Sequence, residues 1–150
     1  MKALFSILSI SLLTLTTSKA LSADRGCESS YRIMEAAHDL DNEANHFANQ
    51  VRWVEGYSHL YDDAERLAEE AAHFHDMVER GHDCAHIRED FHYVASAWRH
   101  LQREWRHAHE SHHNRHLEED FYYVESAFFH LRQSMRQGRH GGGRRVIVRN

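Results

Sequence analysis

Apolar residues recur between residues 33 and 135 at alternating steps of three and four positions. This spacing puts them on one face of an α-helix, at heptad positions a and d, and each run is longer than an ordinary strand. The pattern therefore predicts four helices. Their apolar positions are Ile33, Ala37, Leu40, Ala44, Phe47, Val51 and Val54; Leu60, Ala64, Leu67, Ala71, Phe74 and Val78; Ile87, Phe91, Val94, Trp98, Leu101 and Trp105; and Leu117, Phe121, Val124, Phe128, Leu131 and Met135.

Short segments near residues 55–58, 81–83 and 111–114 separate these helices. Gly56 and Gly81 suit a helix end, and Ser58, Asp83 and Asn114 suit the cap of the next helix. Connections this short force neighbouring helices to run antiparallel. We therefore predict an all-α fold, an antiparallel up-down-up-down four-helix bundle of coiled-coil type. The alternative is a flat array of helical hairpins, which would leave one face of the third and fourth helices uncovered.

The four segments also resemble one another, which predicts an internal helical repeat of roughly 27–30 residues. Residues 86–91 match residues 116–121 at a shift of 30 positions, and the second segment aligns with the third at a shift of 27. The first segment joins this alignment more weakly, through His46 and Phe47.

Residues 1–20 have the features of a secretory signal peptide. A basic start at Lys2 precedes an apolar run, and small residues lie before Ala20. We predict cleavage after Ala20, with Ala23 as the alternative. The apolar run is shorter than the roughly 20 residues that a bilayer span needs. We therefore expect no stable membrane anchor and an exported protein, periplasmic or secreted.

The residue composition excludes several classes of protein function and argues against one class of fold. Both lysines precede residue 20, so the processed chain has none, which excludes P-loop nucleotide binding and Schiff-base cofactor chemistry. The absence of Pro and the scarcity of Gly argue against an all-β chain.

Charge is unevenly distributed between a bundle at residues 21–137 and a flexible basic Gly/Arg tail at residues 138–150. The whole chain carries a formal net charge of −5. Loss of Lys2 and Lys19 makes it −7, and subtraction of the five arginines that follow Met135 leaves a body near −12. We expect the tail to contact its own acidic body or an anionic surface, and we expect no nucleic acid partner. These arginines are Arg136, Arg139, Arg144, Arg145 and Arg149.

The two cysteines, Cys27 and Cys84, predict a disulfide because an exported chain meets an oxidising compartment and no C-x-x-C is present. In the up-down topology both cysteines lie at the same end of the bundle. Closing a loop of this length stabilises a fold by about 4 kcal/mol in the chain-entropy model.

Histidine is the unusual component, with 16 residues in the chain. The densest cluster ends the third helix and enters the fourth, and His59 is predicted at the same end. Imidazole is a common ligand of Zn, Ni and Cu, so we predict a transition-metal site there. Its residues are His107, His109, His112, His113, His116 and His59. A secondary metal candidate at the opposite end, beside Cys84, comprises His75, Glu79, His82 and His86.

The repeat also carries His and Asp four residues apart on the flanks of the second, third and fourth helices. Such residues are neighbours on a helix surface, and we expect local pairs. The alternative is that flanks of adjacent helices meet and share a metal. The pairs are His59 and Asp63, His86 and Asp90, and His116 and Asp120.

The stretch His109-Glu110-Ser111-His112-His113 matches the H-E-x-x-H pattern of zinc hydrolases, which is a remote alternative because a predicted helix ends there. Tyr122 and Phe129 lie outside the apolar stripe and predict contact with a second copy, a protein partner or the tail.

We expect no catalytic residues and a non-enzymatic, His-rich bundle that binds or buffers a transition metal. The alternative is a structural or interaction protein of the cell envelope with pH-responsive surface His.

Overall fold

The computed structural model describes residues 30–111 and 114–137, with side chains placed for residues 31–108 and 114–137. This part of the chain forms four helices, as the apolar spacing predicts, and it contains no strand. In chain order they are α1 (Ser30–Val51), α2 (Ser58–Glu79), α3 (Cys84–Ser111) and α4 (Arg115–Gln137). The predicted signal peptide, Cys27 and the predicted basic tail lie outside the described residues.

The predicted a and d residues form one apolar core shared by the four helices. Leu40, Phe47, Leu67, Phe74 and Leu101 are completely buried. Five further alanines are buried immediately beside an a or d position, where a methyl group widens the apolar face without separating the helices. They are Ala36, Ala48, Ala68, Ala97 and Ala127.

The helix ends follow the local chemistry of the turns. After α2, Gly81 adopts a φ of 71°, which a side chain would strain, and its N–H donates to the carbonyl of Val78 at 3.1 Å. The N–H of His82 donates to the carbonyl of Met77 at 3.2 Å, which completes a Schellman motif. The carboxylate of Asp83 accepts from the N–H of Ala85 at 2.9 Å and so caps α3.

Asn114 caps α4 in the same way, because its side-chain oxygen accepts from the N–H of His116 at 3.1 Å. No side-chain cap bond is found at Tyr57, the residue that precedes α2. Asp83 and Asn114 therefore act as the sequence predicts, whereas Ser58 is the first residue of α2.

The distance between neighbouring helices differs from one pair to another. The backbone of α1 lies close to those of α2 and α4, and α2 lies close to α3, whereas the backbones of α3 and α4 are farther apart. Aromatic rings fill the wider space between α3 and α4. Adjacent rings stack with centroids 4.5 to 6.2 Å apart. In order, this aromatic stack is Phe91, Phe128, Trp98, Phe121 and Trp105.

Cys84, the first residue of α3, is buried. Its predicted partner Cys27 lies outside the described residues, so that pairing stays a prediction. None of the helices in the described ranges is both long enough and apolar enough to cross a membrane.

Candidate functional site

The predicted metal site lies where the α1–α2 turn meets the last turns of α3. His59 and His107 line one cavity of about 210 Å³ there. Gly56 and Tyr57 contribute the turn, and Glu104 lies one helical turn before His107. Both imidazoles belong to exposed residues. Residues 48 positions apart in the sequence thus meet at the end of the molecule where both were predicted.

The rest of the predicted cluster is only partly described. His116 is exposed in the first turn of α4. His109 lies in α3, but its side chain lies outside the described residues, as do His112 and His113 entirely. Among the side chains that the structure places, no group of three or more His, Cys, Asp or Glu residues is arranged to hold a metal ion.

The residues of the secondary metal candidate have different partners in the structure. The Nδ1 of His75 lies 3.1 Å from a carboxylate oxygen of Asp41 on α1. His82 and His86 instead contact each other, with ring centroids 6.4 Å apart. Glu79, the last residue of α2, is exposed. The four residues therefore do not form one ligand set.

The predicted i, i+4 pairs are replaced by other partners. His86 bonds through Nδ1 to Asp83 at 2.5 Å rather than to Asp90. Asp120 lies 3.5 Å from the Nε2 of His46 on α1, instead of pairing with His116 in its own helix. Within the described ranges no ion pair joins His59 and Asp63. For Asp120 the reason is that the flanks of α1 and α4 meet, so its carboxylate reaches an imidazole across the interface, whereas His86 contacts the cap residue of its own helix.

The Asp83–His86 contact changes the acidity of both groups. The hydrogen bond from His86 lowers the pKa of Asp83, helped by the backbone N–H groups that the same carboxylate caps. The hydrogen bond to Asp83, and then its charge, raises the pKa of His86. The interaction of the cap residue Asp83 with His86 therefore depends on whether this exposed imidazole is protonated.

A polar cluster on the α1–α2 flank was missed by the sequence analysis. The ring of His38 lies 5.1 Å from that of His75, and Asp41 also accepts from the side-chain amide of Asn45 at 2.8 Å. His38 and Asp41 are three residues apart, which puts them on one helix face. That spacing was the available signal, and it was overlooked because α1 matches the repeat only weakly.

The exposed aromatic residues are where the sequence predicts them. Tyr122 is 64% exposed and Phe129 is 60% exposed, both on α4. Tyr122 contacts Tyr123 edge-on, with ring centroids 6.0 Å apart. Their contact with a partner or with the tail stays a prediction.

No protein-family model, curated protein or solved structure matches this chain.

Proposed function

We propose that this protein is exported and that it binds or buffers a transition metal, Zn, Ni or Cu, without catalysing a reaction. The proposed site is the end of the molecule formed by the α1–α2 turn and the α3–α4 turn. His59 and His107 supply two imidazoles, and His109, His112, His113 and His116 supply the remaining ligands. Neutral imidazole suits each of these metals.

The observation that carries this proposal is the shared cavity of His59 and His107. The two imidazoles come from different helices and line one cavity, whereas isolated surface histidines share none. The α3–α4 turn beside this cavity adds the most His-rich part of the sequence. A chelate needs three or four ligands at one place, and six are predicted at this end of the molecule, whereas the residues of the secondary candidate have separate partners.

We also propose the antiparallel up-down-up-down topology, the helical repeat and the Cys27–Cys84 disulfide. Supporting contacts pair the beginning of one helix with the end of another. Arg32 in the first turn of α1 donates to Gln137, the last residue of α4, at 3.2 Å. In the aromatic stack, positions on α3 increase as positions on α4 decrease. In this topology, the chain before α1 lies near Cys84.

A non-enzymatic role is favoured over zinc hydrolysis by the end of α3. α3 is described as far as Ser111 and Asn114 caps α4, so the H-E-x-x-H stretch lies where one helix is followed by the next. In H-E-x-x-H hydrolases both histidines come from consecutive turns of one helix, with the Glu between them.

The test is calorimetric titration of the untagged mature chain with Zn²⁺, Ni²⁺ and Cu²⁺ at pH 7.5. We expect micromolar or tighter binding that weakens on acidification, because protonated imidazole cannot ligate. His59→Ala and His107→Ala should each weaken binding at least about tenfold. Replacing His109, His112, His113 and His116 together should abolish it.

His73→Ala and His100→Ala are the matched controls for these variants. Both residues are exposed and lie on the same stripes of α2 and α3 as His59 and His107, away from the cavity. Neither control should change the affinity. An equal loss in all four single variants would mean nonspecific chelation by histidine and would remove the proposed site.

A second proposal is a pH-responsive structural or interaction protein, and the cross-helix His–Asp contacts favour it. His46–Asp120 joins α1 to α4, and His75–Asp41 joins α1 to α2. In each contact an imidazolium would face a carboxylate of opposite charge, which makes the contact stronger than one with neutral imidazole. Metal content after purification without a metal-affinity step distinguishes the proposals: bound metal supports the first, and metal-free protein supports the second.

A further inference from the structure

A groove follows the outer side of the aromatic stack between α3 and α4. It encloses about 420 Å³, a volume within the range of small-molecule sites. The groove exists because the rings separate the two helices more widely than the other neighbouring helices. Phe91, Trp98 and Phe128 supply its aromatic floor, and the small side chain of Ala95 leaves room above them.

The rim of the groove is cationic. Arg99 on α3 and Arg132 on α4 lie on it with a single carboxylate, Glu125. The Nε of Arg99 donates to the carbonyl of Ala95 at 3.1 Å, which orients the guanidinium and leaves its two terminal NH₂ groups for other acceptors. Arg132 makes no ion pair with any of the described residues. Two guanidinium groups thus flank an aromatic surface on a protein body with a net charge near −12.

We propose that this groove binds a small planar aromatic monoanion, with its ring system on the aromatic floor and its carboxylate or sulfonate between Arg99 and Arg132. Guanidinium groups form charge-assisted hydrogen bonds with such anions, and Phe129, 60% exposed at the rim, offers a further ring face. The site is independent of the metal site, which lies around His59 and His107.

The basic tail of this chain is a poorer occupant. Its 13 residues could reach about 43 Å when extended, so length does not exclude it. Its arginines, however, would face Arg99 and Arg132, and like charges repel. A neutral apolar ligand would bury rings but would form no charge-assisted hydrogen bond with either guanidinium group.

The test uses the mature full-length chain with two probes of the same shape, 2-naphthoate and its neutral amide, 2-naphthamide. Calorimetry at low salt measures affinity, and the indole N–H signal of Trp98 in NMR reports where each probe binds. We expect naphthoate to bind more tightly than naphthamide and to shift the Trp98 signal. Arg99→Gln combined with Arg132→Gln should weaken naphthoate at least about fivefold and leave naphthamide unchanged.

Two single variants test whether the charges on the rim of the groove set the affinity for naphthoate. Glu125→Gln should tighten naphthoate binding, because it removes the only carboxylate of the rim. Arg103→Gln changes an exposed arginine of α3 outside the groove and should have no effect. Equal binding of the two probes, equal effects of the Arg103 and Arg132 changes, or an unshifted Trp98 signal would overturn the proposal. So would tighter naphthoate binding after Arg144→Gln and Arg145→Gln, since the tail would then be the occupant.

Discussion

The histidines of this protein differ in what their imidazoles contact, although sequence spacing alone makes them look alike. His75 and His46 contact carboxylates on another helix, His86 bonds to a helix cap, and His59 and His107 line a cavity. The i, i+4 rule predicts only partners within one helix. It fails for Asp120, whose side chain is only 18% exposed, because the adjoining helix presents an imidazole to it.

The Asp83–His86 pair should make the start of α3 sensitive to pH. His86 has a raised pKa, so its contribution to stability is complete below about pH 6.5 and is lost as the pH rises through its folded-state pKa. Asp83 has a lowered pKa, so its contribution is complete above about pH 3.9 and is lost as the pH falls through its folded-state pKa. Hydrogen-exchange protection of the first turn of α3 should be greatest between these values.

The matched control is the first turn of α4, because its cap Asn114 does not titrate. The hydrogen-exchange protection of the first turn of α4 should not have its maximum in the same pH range. Asp83→Asn should lower the pKa of His86, measured by NMR titration of the imidazole protons. An unchanged pKa in this variant would contradict the account of the cap.

At the scale of the helix, apolar periodicity predicts the core because burial on a helix repeats every 3.6 residues. The turn residues Gly81, Asp83 and Asn114 predict the breaks because each has a local conformational or hydrogen-bonding role. Periodicity does not predict how far apart two helices lie, since ring stacking and small side chains set that distance. The groove beside Trp98 and the Asp41–His75 contact therefore appear only in the folded structure.

The aromatic stack should be the main source of α3–α4 stability. Phe121 is 9% exposed and stacks on Trp98 and Trp105, so Phe121→Ala removes a buried ring from the centre of the stack. We expect a loss of about 3–5 kcal/mol in the free energy of unfolding, measured by urea denaturation. The adjacent Tyr122→Ala, at a residue that is 64% exposed, should change it by no more than about 0.5 kcal/mol. Similar losses in both variants would show that the stack is not what joins the helices.

At the scale of the whole molecule, the proposed Cys27–Cys84 disulfide fixes the chain before α1 to the start of α3. Reduction should lower the free energy of unfolding by about 4 kcal/mol, and the oxidised mature protein should contain no free thiol. Thiol titration and urea denaturation with and without reductant measure both quantities, and Cys27→Ser with Cys84→Ser should unfold like the reduced protein. Two free thiols, or a disulfide that joins two copies in every preparation, would contradict the up-down topology.

Metal binding at one end of the molecule is the central claim, and paramagnetic NMR tests it most directly. Substoichiometric Cu²⁺ is added to the untagged mature protein at pH 7.5, and the imidazole C–H signals are followed. The account predicts that the signals of His59, His107 and the residues of the α3–α4 turn broaden first, while those of His73 and His100 persist. Uniform broadening of all imidazole signals, or earlier loss of those of His75, His82 and His86, would contradict it.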